Sequence, residues 1–561
     1  MLDLVVEGGL VLDGSGCPGR RLDIGVREER IVSLFQPGSA GPAQERIDAE
    51  GMVVAPGFID IHTHLDAQVF WDPYCTPSSL YGVTSVITGN CGFSIAPLDP
   101  GDDSYMLRLL AEVEAIPAEA LEEGVPWNWE SFGDYLAAVQ DARPAVNVGV
   151  MAGHSALRRA VLGSRHAEVD PGPSFFAEMR AQLEEAMHAG ALGFSSSWNS
   201  IHVDGEGEPV PSRYASTAEL LELCGVLTRF PGSQIEFIPT VGRFEDHHID
   251  LMIKMALAGQ APLNWNVLIP EDRDVVDDQL RVSDLAAAQD AQIFALTYPG
   301  STALRVSSQV GMFRTIDGWA QVIDLAPAAA TRALLDPAVR KQLRESAEKT
   351  SPLPKVLGRL IVVDTHSEGS RPYLGMSVKA IADEIHQDVF DALFMLWIAD
   401  ELRTGFAAKP MANSKTSWEI RRENWSDPRV LIGASDAGAH VHLLSTFDYP
   451  ATFLALIREH GGIELPAAVH KLTDVPARLY GLKDRGYISE GAYADLVVFD
   501  ADLVGPGEQT WRDDLPGGAG RIYKEPTGIG HVIVNGTEIV GTGGLTGKRP
   551  GRILRRESSA V

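Results

Sequence analysis

The chain has 561 residues, with 47 Lys+Arg against 76 Asp+Glu, a formal net charge of −29 at pH 7 and 45% apolar residues. So acidic a surface is repelled by phosphate backbones and by anionic lipid, which excludes a nucleic-acid or membrane-surface partner. Four cysteines, Cys17, Cys75, Cys91 and Cys224, are too few and too widely spaced for a disulfide framework or a zinc ribbon.

In chain order, the first fifty residues read as short strands, Leu2–Glu7, Leu10–Asp13, Leu22–Val26 and Arg30–Leu34, separated by Gly, Pro and charged turns. The starting segment is acidic where a secretory leader is basic, and no run of about 18 apolar residues follows, so a cytoplasmic protein without a membrane span is expected. Eight apolar, β-rich runs come next: 57–64, 84–91, 147–154, 191–196, 234–239, 262–268, 292–298 and 430–436. Continuous apolar runs indicate strands buried on both faces, as in a parallel sheet. Helical periodicity lies between several of them, over 175–189, 217–228 and 276–288. Eight βα units predict an α/β fold, a TIM (β/α)8 barrel over residues 56–479, with insertions at 99–141 and 300–428. The last residues turn strand-rich again, at 494–500 and 529–536. Residues 1–55 and 480–561 are therefore expected to form one small β-sandwich domain built from both termini.

In a TIM barrel the functional groups gather at the C-terminal ends of the strands. The first strand ends in His62-Thr-His64, and side chains two apart on a strand share a side, so two imidazoles converge there, a pair suited to Zn²⁺. The second ends in Gly89-Asn-Cys91-Gly92; Cys91 is either a small buried hydrophobe or a thiolate ligand. The eighth ends in Ser435-Asp436, a carboxylate that either caps a helix or binds a metal and takes a proton from its water. His154, after the third strand, is either a structural histidine or a hydrogen-bond donor to a substrate oxyanion. Trp198, Trp265 and Tyr298 near strand ends, with Arg213 and His440, are candidates for substrate binding, although aromatic packing explains the tryptophans equally well.

The stretch Pro56-Gly-Phe-Ile-Asp-Ile-His-Thr-His64 resembles the opening signature of the amidohydrolase superfamily. The stretch Gly82-Val-Thr-Ser-Val-Ile-Thr-Gly-Asn-Cys-Gly-Phe-Ser94 is similar to its N-acyl-D-amino-acid deacylase (D-aminoacylase) branch. Gly153-His-Ser-Ala-Leu-Arg158, Gly190-Ala-Leu-Gly-Phe-Ser195, Pro211-Ser-Arg-Tyr-Ala215 and Ala494-Asp-Leu-Val-Val-Phe499 follow in order and agree. The resemblance implies one or two zinc ions lined by His62, His64, Cys91 and Asp436. It also implies hydrolysis of a small-molecule, non-peptide amide by metal-activated water, with Asp436 as general base and then general acid.

The chain departs from that branch at two places. Strand five, Gln234-Ile-Glu-Phe-Ile-Pro239, offers Glu236 where the branch has a histidine. Strand six, Leu263-Asn-Trp-Asn-Val-Leu268, lacks both the histidine and the lysine that helps to hold a substrate carboxylate. Glu236 and Asn266 are the candidate replacements in the metal shell, with His247-His248 available only if their loop folds back. Arg213, Arg243, Lys409 and Lys415 are the candidate replacement cations. Three alternatives stand beside the deacylase reading. One is a hydrolase of a bulky neutral amide. Another is a hydantoinase-like hydrolase of a cyclic amide, opposed by the lack of a lysine on strand four. The last is a catalytically silent scaffold. A homo-oligomer is compatible with the sequence, which carries no interface signature.

Overall fold

A computed structural model describes residues 1–169, 171–308, 313, 316–349 and 353–556. All eight expected strands are present: β1 (Phe58–Asp60), β2 (Val83–Thr88), β3 (Asn147–Val150, resuming as Ala152–Gly153), β4 (Gly193–Ser197), β5 (Gln234–Ile238), β6 (Leu263–Asn266), β7 (Ile293–Thr297) and β8 (Val430–Ile432). β1, β2 and the first half of β3 form a three-stranded parallel sheet, while the second half of β3 begins a six-stranded parallel sheet that runs through β4, β5, β6 and β7 to β8. β3 therefore serves both sheets. At the far end, Thr63 and Ala437 make an isolated parallel bridge. There the His64 N–H donates to the Ala437 carbonyl at 2.7 Å, which ties the segment after β1 to the segment after β8.

The strands are buried on both faces, as the apolar runs suggest. On one face the pattern turns polar toward the later strands. Gln234 of β5 donates to Asn264 of β6 at 3.2 Å, so Gln234, Glu236, Asn264 and Asn266 share one side. Ile235, Phe237 and Trp265 necessarily face the other, where Phe244 meets Trp265 edge-on at 4.8 Å.

Both chain ends pair in one sheet. Val53–Pro56 lies parallel to Leu10–Val11 and antiparallel to Leu496–Phe499, which in turn pairs with Ile529–Val534. A second sheet takes Arg30–Phe35, Asp23–Arg27, Leu2–Glu7 and Ala43–Asp48. Leu4, Val6 and Ile24 of this sheet share an apolar cluster with Val54, Leu496, Val498 and Ile533 of the first. The alternation of Leu496–Phe499 is used on both faces, since Val497 and Phe499 join the core under the parallel strands.

Residues 103–141 supply three helices, α1 (Asp103–Val113), Ala118–Gly124 and Phe132–Asp141, which pack on the same core. The long segment between β7 and β8 has a core of its own, around Phe313, Trp319, Phe394, Trp397 and Phe406. Each such large buried side chain contributes roughly 1.5–3 kcal/mol over leaving it in water, which explains how an insertion of this size holds its shape. Among the described residues no helix is long and apolar enough to cross a membrane.

Candidate metal centre

His62 and His64 lie just past β1, with ring centroids 5.4 Å apart. Cys91 reaches them from the turn after β2, its Sγ 3.4 Å from His62 Nε2 and 3.8 Å from His64 Nε2. Asp436 completes the group from beyond β8, with Oδ1 3.2 Å from His62 Nε2 and 3.9 Å from His64 Nε2. Around a tetrahedral zinc with bonds of about 2.0 Å to N or O and about 2.3 Å to S, neighbouring donors stand roughly 3.3–3.6 Å apart. Cys91 stands near that spacing from both imidazoles and Asp436 from His62, and the donor atoms of His62, His64 and Cys91 lie within 4.8 Å of one another, so these three fit a zinc ion in type and position with Asp436 beside them.

The backbone is bent to bring them there. Cys91 sits at φ 56 and Asp436 at φ 46, left-handed conformations that ordinary residues avoid and that cluster at functional sites. The turn before Cys91 depends on Gly89 at φ 77, where a Cβ would lie 2.4 Å from the Met151 carbonyl oxygen. The Ser435 hydroxyl donates to the His62 carbonyl at 2.9 Å, so β8 holds the β1 ligand loop directly.

Two further groups close the ring. Glu236 Oε2 accepts the Cys91 N–H at 2.7 Å, and its Oε1 is buried without a partner. Asn266 places its Nδ2 3.2 Å from His62 Nε2 and 3.9 Å from Cys91 Sγ, and its Oδ1 is likewise buried and unpartnered. The structure thus brings together His62, His64, Cys91, Asp436, Glu236 and Asn266.

The electrostatics suit a cation. Burial pushes Asp60 and Glu236 each up to about 7 and Glu114 well above its usual range. Burial, then the charge of Glu236, drives the Cys91 thiol far up. Burial also opposes charge on Asp436, but its hydrogen bond and charge interaction with His62 outweigh that and hold it near 2. For Asp60, Glu236, Glu114 and the Cys91 thiol, crowded together out of water, the neutral form is favoured unless a positive ion compensates their charge.

Two contributors were not legible in the sequence. Glu114, just past α1, places Oε1 3.2 Å from His64 Nδ1, a close contact without hydrogen-bond geometry. It belongs to an insertion, where nothing links its number to β1. Carboxylates behind a ligating imidazole raise its basicity and fix its tautomer. The Glu114→Gln variant is accordingly expected to fold normally and to bind zinc about 10–100-fold more weakly, as read by competition with a chromophoric chelator. His202 is the second. Its Nδ1 bonds Ser197 Oγ at 2.8 Å, and burial, then His440, pushes it down to about 4. His440 lies close enough to Asp436 for their charges to interact, and its Nδ1 has no partner.

Several expected residues lie elsewhere. His154, at the start of α2 (His154–Leu162), is not free to serve an oxyanion. Its Nδ1 meets Ser196 Oγ at 2.8 Å and its Nε2 meets Glu219 Oε1 at 2.9 Å. Glu219, on α3 (Thr217–Val226), also pairs with Arg158 Nη1, making a closed buried network. Removing the shared carboxylate leaves Arg158 buried and unpaired there. Glu219→Ala is expected to cost about 3–5 kcal/mol in urea unfolding while zinc content is retained. Trp265 is 1% exposed and faces the helices, because its neighbour Asn266 faces the metal ligands and adjacent strand residues point oppositely. Trp198 packs edge-on against Phe237, on the side of β5 away from Glu236. Arg213 donates to the His202 carbonyl at 3.0 Å. His247 is 60% exposed beside Glu245, so this pair does not fold back. Arg243 and Lys415 are solvated surface charges, and Lys409 is exposed.

Tyr298 does line a cavity, of about 140 Å³, whose wall includes Asp436. Its hydroxyl donates to Asp448 Oδ1 at 2.8 Å.

The sequence matches the Amidohydrolase family over residues 45–540. A D-aminoacylase of Alcaligenes xylosoxydans xylosoxydans is 30% identical, covering 99% of this chain and 98% of its own. An N-acyl-D-glutamate deacylase of the same organism is also 30% identical, over 100% and 97%. Among solved structures, a D-aminoacylase superposes with a TM-score of 0.63 at 26% identity, covering 99% of this chain and 100% of that one. The N-acyl-D-glutamate deacylase of Bordetella bronchiseptica, complexed with zinc and a phosphonate inhibitor, superposes with a TM-score of 0.64 at 26% identity, covering 99% of each chain. A D-hydantoinase shares the fold with a TM-score of 0.52 at 14% identity. The chain belongs to the amidohydrolase family, and it is a hydrolase of carbon–nitrogen bonds other than peptide bonds.

Proposed function

We propose that the chain is a zinc-dependent deacylase that cleaves the amide bond of a small N-acyl compound, of the kind its curated relatives are named for. The observation that carries the proposal is the convergence of His62, His64 and Cys91, whose donor atoms lie within 4.8 Å of one another, with Asp436 Oδ1 3.2 Å from His62 Nε2. In this reading the eight parallel strands close into one (β/α)8 barrel through the Thr63–Ala437 bridge. Residues 56–479 form that barrel domain, with the insertions at 99–141 and 300–428. Residues 1–55 and 480–561 form a β-sandwich domain beside it.

His62, His64 and Cys91, with Asp436, Glu236 and Asn266 beside them, would hold a zinc ion, which would supply the Lewis acidity that activates water near neutral pH. The chain's own groups do the rest. Asp436 is ionised and retains 31% side-chain exposure, enough to meet a substrate, so its free oxygen takes the proton of the attacking water. The same carboxyl then delivers that proton to the departing nitrogen. Glu236 holds the Cys91 turn through the backbone N–H. Glu114 stands against His64. A cyclic-amide specificity is disfavoured because β4, Gly193-Phe-Ser-Ser-Ser197, carries no lysine to bridge a metal pair.

The test is turnover by zinc-loaded protein on N-acetylated amino acids of both hands, N-acyl amines and hydantoins. Cleavage of linear N-acyl compounds with hydantoins untouched is expected. Hydantoin opening without deacylation would overturn the reading.

A further inference from the structure

β4 adds no donor to the cluster of His62, His64 and Cys91, yet it carries three consecutive buried serines, Ser195, Ser196 and Ser197. A buried hydroxyl needs partners, so each of the three has to be accounted for. Ser196 bonds His154 of α2. Ser195 and Ser197 are two apart on the strand and share the opposite side. Ser197 Oγ accepts the Asn199 N–H at 3.1 Å and meets His202 Nδ1 at 2.8 Å. Ser195 Oγ donates to the Gly89 carbonyl at 2.5 Å and accepts the Gly92 N–H at 3.0 Å. A single hydroxyl therefore grips the chain immediately before and immediately after Asn90-Cys91.

That turn has little of its own to keep it in shape. Gly89 at φ 77, Cys91 at φ 56 and Gly92 at φ 80 are all left-handed. Glycine visits other conformations as readily, and cysteine prefers them. Asn90 ties the base of the turn to the histidine pair, its Nδ2 donating to the Thr63 carbonyl at 3.2 Å and to the Ile87 carbonyl at 3.0 Å. Glu236 takes the Cys91 N–H in the middle. Ser195 spans the turn from end to end. The turn lies directly on β4, since a Cβ at Gly92 would stand 3.2 Å from Ser196 Cα. Its shape decides where Cys91 Sγ stands, now 3.4 Å from His62 Nε2 and 3.8 Å from His64 Nε2. A displacement of about 1 Å is enough to spoil such a donor set.

We propose that Ser195 is the positioning residue of the thiol ligand: by bridging Gly89 and Gly92 it fixes Cys91 Sγ against the two imidazoles, and so sets how tightly the centre binds zinc. The proposal rests on the reading of Cys91 as a zinc ligand. A hydroxyl is needed at this point because one atom has to give a hydrogen bond and take another. Without it the Gly89 carbonyl and the Gly92 N–H lose their buried partner, and the glycines let the backbone drift. Metal binding then has to re-form the turn, which weakens it. The serine run of β4 thereby acquires a use on each face: Ser195 serves the metal centre, and Ser196 serves the closed network of His154, Glu219 and Arg158.

The experiment takes the full chain as wild type, Ser195→Ala, Ser195→Thr and Ser196→Ala. Zinc affinity is read by chelator competition, and the thiolate-to-metal charge-transfer band is recorded on the cobalt-substituted proteins. Ser196→Ala is the control, because it removes an equally buried hydroxyl from the same strand on the side away from Cys91. Ser195→Ala should bind zinc about 10–100-fold more weakly, with a weakened and shifted cobalt band. Ser195→Thr keeps the hydroxyl and should recover most of both. Ser196→Ala should lower the melting temperature, yet leave zinc affinity within about threefold of the parent and the cobalt band unchanged. Parental affinity in Ser195→Ala, no recovery in Ser195→Thr, or an equal loss in Ser196→Ala would overturn the proposal. Should Ser195→Ala fail to fold, Ser195→Thr against Ser195→Val, side chains of one shape with and without the hydroxyl, makes the same comparison, and equal affinity in that pair overturns it too. Cys91→Ala separates this proposal from the reading beneath it. If that variant binds zinc as the parent does, Cys91 is no ligand; if it loses zinc while Ser195→Ala does not, the positioning role of Ser195 alone fails.

Discussion

Replacing Asp436 by Asn is expected to leave a folded, zinc-loaded protein whose kcat falls by about 10⁴-fold, the upper range for losing a group that serves first as general base and then as general acid. The side chain keeps its shape, so an oxygen can remain near His62 and His64, but an amide cannot accept the water proton at that oxygen. The surrounding loop is held independently. The Ala437 N–H donates to Ser435 Oγ at 3.1 Å, and Gly438, at φ 95, lets the chain pass where a Cβ would stand 2.4 Å from the His64 carbonyl oxygen. Loss of activity would therefore report the carboxylate and not a collapsed loop. Circular dichroism and zinc content, measured beside kcat on an N-acetylated amino acid, separate the two. Activity within tenfold of the parent, with zinc retained, would remove Asp436 from the chemistry.

Cys91→Ala carries the second large effect, on the metal itself. A structural cysteine buried at 4% exposure could be cut to alanine with only a small packing loss. A ligand could not. The thiol is driven far up by burial and by Glu236, so its anion exists there only against a cation, and binding releases its proton. Zinc affinity is expected to fall at least about 100-fold in the variant, more than for any group behind the ligands. The parent's affinity should also weaken as pH falls, because protons compete for Cys91 and the imidazoles. The turn itself should survive, since Glu236 grips the Cys91 backbone N–H and Gly89 sets the bend. Chelator competition on folded variant protein reads the effect, and an unchanged affinity would return Cys91 to the role of a small core residue.

What was legible in the sequence was what local alternation and strand ends determine. His62 and His64 are two apart after an apolar run, Cys91 and Asp436 follow two others; the structure clusters the first three and sets Asp436 against both imidazoles. The helix expected over 217–228 runs over Thr217–Val226, with Ser216 Oγ accepting the Glu219 N–H at 3.2 Å as its cap. The strands Ala43–Asp48 and Val53–Pro56 went unread, the first because four of its six residues are polar or charged and its pairing with Leu2–Glu7 is non-local. Trp265 and Asn266 could not both face one site, because neighbours on a strand point apart; alternation alone would have chosen between them. His154 looked available because its partners, Ser196 and Glu219, stand far away in sequence.

Glu114 was illegible for a physical reason: it reaches the site from an insertion, where tertiary packing alone decides what it touches.

Zinc titration of chelator-stripped protein tests the central claim most directly, with deacylation of an N-acetylated amino acid as the readout. Stripped protein should be inactive, and activity should rise in proportion to added zinc and level off at one equivalent, because His62, His64 and Cys91 form the one such cluster among the described residues. Full activity in the stripped protein, or none at any zinc level with every N-acyl compound tried, would contradict the account.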